Sequence, residues 1–394
     1  MAFYCAHGRR YLIFRSLGNK QMLIGVPREI KPQEYRVGLT PESVAELVHR
    51  GHEVLVETQA GAGIGADDRS YRTAGARIAE EARSVFDQAE LIVKVKEPQT
   101  AERAWLRPGQ VLFTYLHLAP DPDQTRDLLA SGAVCIAYET VTDALGELPL
   151  LKPMSQVAGR LSIQVGATAL ERIHGGRGLL LGGVPGVAPA RVVILGGGVV
   201  GFNAAQMAVG MQADVTIFDR DPATLERLSS HFGASARTRY VTRTALEAAV
   251  AGADLVIGAV LVPGASTPKL VSRDLLARMT PGAVLVDVSI DQGGCFETSH
   301  PTTHAQPTYS VDGIIHYSVA NMPGAVPRTS TYALNNATLP AVEALADKGW
   351  RRALTDDPQL RTGLNCHAGR VTHPAVAAAL GYDLWSVDEA LAVP

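Results

Sequence analysis

Four side chains in this chain stand where an open α/β sheet would do chemistry. Lys96 closes the run LIVKVK (91–96), and His117 follows VLFTYL (111–116). Arg36 lies in the loop after MLIGV (22–26), and Asp291 follows AVLVDVSI (283–290). Lys96, His117 and Asp291 come just after apolar runs, as in strands that stay buried until their last residues, and Arg36 lies in the loop beyond one. Ligands of such sheets bind beyond the carboxyl ends of the strands, so position alone selects these four. Their types are complementary. A guanidinium and an ammonium hold a carboxylate, an imidazole titrating near neutrality moves a proton, and a carboxylate orients water or a developing ammonium. Each also has a plain reading. Lys94 shares a strand face with Lys96, and either can snorkel to water. His117 can be a hydrogen-bonded structural histidine, Arg36 a solvated loop residue, and Asp291 a turn cap.

A second constellation binds rather than reacts. VILGGGVVG places Gly196, Gly198 and Gly201 in a GxGxxG pattern that follows a β-branched strand and opens a helix. Asp219 ends the next strand. The glycines permit a tight turn and close backbone approach, and the helix N-terminus attracts a pyrophosphate. Asp219 suits an adenosine ribose and repels a 2′-phosphate. The cofactor expected is NAD rather than NADP, with neighbouring Arg220 keeping the second in view.

The elements that must position these groups alternate strand and helix. MLIGV (22–26), EVLVE (53–57), LIVKV (91–95), VLFTY (111–115) and VCIAYE (134–139) read as strands. Between the first two, TPESVAELVHRG reads as a helix with Thr40 as N-cap, Pro41 at its first position and Gly51 at its stop. A long amphipathic helix is expected over 153–176, bridging to a second series of strands in RVVIL…DVTIFDR (191–220), LVIGAV (255–260) and AVLVDVSI. A further long helix over 326–350 and a polar tail return towards the first series. The fold class expected is α/β, with two doubly wound parallel-sheet lobes, one of them a Rossmann NAD-binding lobe, joined by long helices around an interlobe cleft. The boundaries read are 22–149 plus 328–394 for a substrate domain and 150–327 for the NAD-binding domain. No internal repeat is visible in the sequence.

Composition agrees with this. At 394 residues, 46% apolar and 19% charged, the chain suits two domains with real cores. A net charge of −3 argues against nucleic acid as a partner. No apolar run is long enough to span a bilayer. Cys5, Cys135, Cys295 and Cys366 form no CxxC pair, which points to a reducing, cytoplasmic compartment, and no metal-ligand spacing is present. Residues 1–21 contain no acid, several arginines and only a short YLIF core; they are read as lying upstream of a start at Met22, with a transit-type segment as the alternative, and are given no part in the fold.

The stretches MLIGVPREIKPQEYRVGLTP, LIVKVKEP, LFTYLHLA, PMSQVAGRL, DLVIGAVLVPG, VDVSIDQGGCFETS and SVANMPGAVPRTSTYALNNAT together resemble the alanine dehydrogenase family, from Met22 nearly to the C-terminus. The resemblance implies reversible, NAD-dependent oxidative deamination of L-alanine to pyruvate and ammonium by a hexamer. It implies that Arg36 and Lys96 bind substrate, and that His117 and Asp291 are catalytic. It assigns cofactor contacts to Ser155, Val199, Val200, Asp219, Val260 and Leu261. Val288, Ser289, Ile290 and Asp291 follow, and then Val319, Ala320, Asn321 and Met322. Thr224 departs from the basic residue that relatives often carry there. The alternative reading is the soluble NAD-binding subunit of a proton-translocating transhydrogenase, a relative that lacks a histidine at the LHLA position.

Overall fold

The computed structural model describes residues 21–260 and 267–392. In the first lobe β1 (Leu23–Val26), β2 (Glu53–Glu57), β3 (Arg77–Ala79), β4 (Leu91–Val93), β5 (Val111–Thr114) and β6 (Val134–Ala137) pair in parallel, in the order β3-β2-β1-β4-β5-β6. In the second, β7 (Arg191–Leu195), β8 (Asp214–Asp219), β9 (Ala236–Tyr240), β10 (Leu255–Gly258), β11 (Val284–Asp287), β12 (Thr308–Val311) and β13 (Ile314–Tyr317) run β9-β8-β7-β10-β11-β13-β12. All these pairs are parallel except β12 on β13. The chain then returns to the first sheet with β14 (Leu364–His367) antiparallel to β6, and β15 (Arg370–Val371) at the edge.

Both lobes follow the doubly wound order, so each has a switch point beside its first strand, where the chain leaves in opposite directions and opens a crevice. The fold class read from the sequence is therefore present. The topology is repeated although the sequence is not. The central strands are apolar throughout because helices cover both faces, as in LIV of β4 and VLVD of β11, where every residue is buried.

The helix Lys152–Ala169 joins the lobes. Met154 and Val157 pack in the first lobe's core, while Ala158, Leu161, Ile163 and Ala169 pack in the second. A Cβ at Gly159 would sit 2.3 Å from the Val200 carbonyl oxygen, so glycine is what lets this helix lie against Val199–Gly210. The helix Pro327–Lys348 adds Leu334, Val342 and Leu345 to the first core.

Several expectations need correction. The bridging helix ends at Ala169 rather than 176, because the chain doubles back and Gly176 lies against the carbonyl oxygens of Ala169 and Leu170. β4 ends at Val93, two residues early, because the N–H groups of Val95 and Lys96 donate to the Glu29 carboxylate. β3, β9 and the β12–β13 hairpin were not foreseen. The hairpin signal was there: Asp312-Gly313 adopts φ of 51° and 80°, the positive pair that an Asp-Gly turn supplies. The expected helix after β1 spans Pro41–His49, and Thr40 accepts from the Ser43 N–H at 3.2 Å. Among the described residues no helix is long and apolar enough to cross a membrane. Of the leading segment only Gln21 is described, donating to Glu53 at 3.1 Å.

Candidate functional site

The two lysines at the end of β4 have opposite surroundings. Lys94 is fully buried, its ammonium 2.8 Å from Glu102 and 3.1 Å from Glu29. Burial opposes its charge, but the two carboxylates outweigh that and hold it protonated far above the usual lysine range. It does not snorkel; it is the cation of a buried triad whose Glu29 also pins the backbone of residues 95 and 96. Burial raises the Glu29 carboxyl, with the Lys94 charge acting against the rise.

Lys96 is half-buried, and among the described residues its ammonium has no hydrogen-bond partner. Burial and then the positive charge of Arg36 lower its pKa, while Glu97 and Asp291 act the other way. Asp291 belongs to the other lobe, on the short turn Ile290–Gln292 after β11, and is exposed. Lys96 thus lies in the field of Arg36 from its own lobe and of Asp291 from the other.

Arg36 is 2% exposed. Its Nε donates to Glu34 at 2.7 Å and its Nη2 to the other Glu34 oxygen at 2.5 Å. The same Nη2 donates to Asn321 Oδ1 at 2.8 Å, and Nη1 points at Met154 Sδ at 3.1 Å. Asn321 comes from the second lobe and sits in the left-handed region at φ 70°.

His117 has φ 51°, a conformation that costs a non-glycine residue about 1–3 kcal/mol and that collects at functional sites. Glu139 holds it there, accepting from the His117 N–H at 2.6 Å and the Leu116 N–H at 3.2 Å. The ring stacks on Tyr115, with centroids 5.9 Å apart and planes 6° from parallel. Nδ1 lies 3.9 Å from Glu139, and the side chain is 46% exposed, within reach of a solute. Tyr115, on which the ring stacks, is also within the field of Arg36. Among the described residues none of the four candidates bonds directly to another.

The glycine turn borders a cavity of about 510 Å³. Ser155, Gly196, Gly198, Val199, Val200, Asp219, Val260 and Thr224 line it, with Arg220 beside them. The glycines divide their work. Gly196 has φ 101°, and a Cβ there would lie 2.6 Å from the Ala259 oxygen. One at Gly201 would lie 1.8 Å from the Gly196 oxygen, so it sets the packing of helix on strand. One at Gly198 would meet nothing within 4 Å. The protein itself therefore leaves that space free at the N-terminus of Val199–Gly210, which is the fit a pyrophosphate requires.

Asp219 accepts from the Gly197 N–H at 2.6 Å and the Asp221 N–H at 2.9 Å; each oxygen keeps a lone pair for a ribose hydroxyl. Val288, Ser289, Ile290, Val319, Ala320, Asn321 and Met322 lie outside this cavity, after the ends of β11 and β13. Ser289 Oγ donates to the Val260 oxygen at 2.6 Å, and Val319 and Met322 are buried. Leu261 lies outside the described residues.

Sequence reasoning missed Glu29, Glu34 and Glu139. Glu139 had the signal used for Lys96, a charged group ending an apolar strand. Glu34 had another, an acid two residues before Arg36 in EYR. Glu29 pairs with residues 66 and 67 positions away, for which no local signal exists.

Family models for the alanine dehydrogenase/PNT N-terminal and C-terminal domains match residues 25–158 and 162–374. Over 362 residues the chain is 60% identical to the alanine dehydrogenase of Halomonas elongata, covering 92% of this chain and 98% of that protein. It is 53% identical over 371 residues to that of Bacillus subtilis, covering 94% and 98%. A solved L-alanine dehydrogenase matches with a TM-score of 0.89 at 55% identity, over 91% of this chain and 99% of that one. A transhydrogenase from Sinorhizobium meliloti matches with a TM-score of 0.77 at 24% identity, over 90% and 99%, a likeness of fold alone.

Proposed function

The chain belongs to the alanine dehydrogenase/PNT family, and from that premise we propose that it catalyses the reversible, NAD-dependent oxidative deamination of L-alanine to pyruvate and ammonium. What supports the reading is the meeting of the lobes at Lys96 and Arg36: Lys96 lies in the field of Asp291 of the other lobe, Arg36 bonds Asn321 of the other lobe at 2.8 Å, and the His117 imidazole of the first lobe is accessible.

Bound NAD supplies the acceptor for the Cα hydride; Gly196, Gly198, Gly201 and Asp219 hold it, with Ser155, Val199, Val200, Val260 and Leu261, and with the segments 288–291 and 319–322. Arg36 and Lys96 hold the substrate carboxylate, and Lys96 polarises the carbonyl oxygen as it develops, the electrostatic help that contributes most in many enzymes. Once Cα has lost hydride the substrate is an iminium. His117 removes a proton from the water that adds to that carbon and returns one to the departing nitrogen, so that ammonia leaves the carbinolamine. Asp291 orients that water or the developing ammonium. Substrate binding by 22–149 plus 328–394, NAD binding by 150–327, hexameric assembly and a cytoplasmic place in amino-acid catabolism complete the proposal.

The transhydrogenase alternative is disfavoured by His117 and by identity, which is 24% to the solved transhydrogenase against 53–60% to the alanine dehydrogenases above. The test is absorbance of NADH on adding L-alanine and NAD, beside a panel of L-amino acids and NADP. A rate with L-alanine and NAD is expected; none with L-alanine overturns the activity, and a preference for NADP overturns the role of Asp219.

A further inference from the structure

Arg36 reaches the cleft already committed. Glu34 grips it through both carboxylate oxygens, at 2.7 and 2.5 Å. Asn321 closes a ring with the pair: its Oδ1 accepts from Arg36 Nη2 at 2.8 Å and its Nδ2 donates to Glu34 Oε2 at 3.0 Å. Arg36 and Glu34 are buried, and Asn321 belongs to the other lobe. Of five guanidinium N–H groups, Nε and both on Nη2 are taken, and one on Nη1 faces Met154 Sδ. A substrate carboxylate is therefore left a single N–H of a guanidinium whose charge is already balanced, and the net positive charge it needs must come from Lys96.

We propose that Glu34 is a positioning residue of the substrate pocket: it fixes the Arg36 guanidinium and cancels its charge, with the Asn321 amide of the other lobe locking the pair, so that the net positive charge offered to the substrate carboxylate is that of Lys96. The inference rests on the alanine dehydrogenase reading.

The charges involved are few. Around Lys96 stand Arg36, Lys31 and Glu97 of its own lobe and Asp291 of the other. Around Arg36 stand Glu34, Glu29 and Tyr115. Burial pushes the Glu34 carboxyl up, but the hydrogen bonds and charge of Arg36 bring it down to about 2, so it is ionised throughout the working range. Arg36 unbalanced by that carboxylate would bear on Lys96 with its full charge and favour the neutral amine.

The test uses two isosteric variants that move this charge in opposite directions. Glu34→Gln removes the negative charge. Asn321→Asp replaces the amide that donates to Glu34 Oε2 at 3.0 Å by a second carboxylate; the facing acids share a proton at lower pH and add a negative charge beside Arg36 on the alkaline limb, where the readout is taken, and aspartate tolerates the left-handed backbone there. The readout is binding rather than turnover: the Kd of pyruvate for the enzyme–NADH complex, from NADH fluorescence, across pH 6–10. Affinity falls on the alkaline side as Lys96 loses its proton. Glu34→Gln should move that limb down by about one pH unit and Asn321→Asp up by a similar amount, whereas a purely structural role for Glu34 would leave the limb in place. A folded variant of either kind whose limb coincides with that of the unmutated enzyme overturns the proposal, and if Glu34→Gln fails to fold, Asn321→Asp decides alone. Failure of the unmutated enzyme–NADH complex to bind pyruvate at pH 7 would instead sink the functional reading beneath it.

Discussion

Replacing Lys94 or Lys96 by methionine should separate the two lysines at the end of β4 completely. Lys94→Met removes the cation from between Glu29 and Glu102, 3.1 and 2.8 Å away, where neither acid nor lysine is exposed enough for water to take over. Breaking a buried pair of this kind costs about 3–5 kcal/mol. For a lobe of roughly 150–250 residues each kcal/mol moves Tm by about 2–4 °C, so a fall of about 6–20 °C is expected by thermal melt. The loss also depends on pH. Burial already raises the folded pKa of Glu29 and Lys94 acts against the rise, so without Lys94 its folded value lies further above the unfolded one; the stability it contributes is full below about pH 4 and is lost as pH rises through the folded value. The gap from the unmutated protein should widen between pH 5 and 8.

Lys96→Met should behave in the opposite way. Burial and Arg36 lower the folded pKa of Lys96, so its charge disfavours folding at neutral pH, and removing it should leave Tm unchanged or raised while pyruvate binding is lost. A Lys94→Met protein melting within about 2 °C of the original, or a Lys96→Met protein that melts far lower, would refute this division.

Three further outcomes follow. Gly198→Ala should leave the apo protein's Tm intact and weaken NAD affinity by about tenfold or more, measured by calorimetry, because the added methyl meets only the space kept for the cofactor. Gly201→Ala should instead destabilise the fold by about 1–3 kcal/mol or more, read as a lower Tm, since its Cβ would fall 1.8 Å from the Gly196 oxygen. His117→Ala should cut kcat by roughly 10²–10⁴-fold with NAD affinity kept, and near-normal kcat would remove His117 from proton transfer.

What could be read from the chain was what is local. Gly196, Gly198, Gly201 and Asp219 announce a turn, a helix start and a strand end within one βαβ unit, and the turn's chemistry admits few other residues. The switch-point rule pointed to Lys96 and His117 at strand ends, because apolar runs that finish in charge are rare by chance, and to Arg36 in the loop that follows the first strand. Lys94 and Lys96 could not be told apart, because they obey the same period-2 rule until the strand stops at Val93, and only then do their partners differ. Those partners, Glu29 for the backbone of Lys96 and Asn321 for Arg36, lie 67 and 285 residues away. The polar strands β9 and β12 escaped notice because they sit at sheet edges, where burial does not enforce an apolar pattern.

The most direct measurement of the central claim is a crystal structure of the chain with NADH and pyruvate bound. The account requires the pyruvate carboxylate between the lobes, with oxygens about 3 Å from Lys96 Nζ and Arg36 Nη1, and its keto carbon facing the His117 ring. Pyruvate seated elsewhere, such as in the separate hollow beside Tyr35 and His304, with Lys96 and His117 untouched, would contradict it.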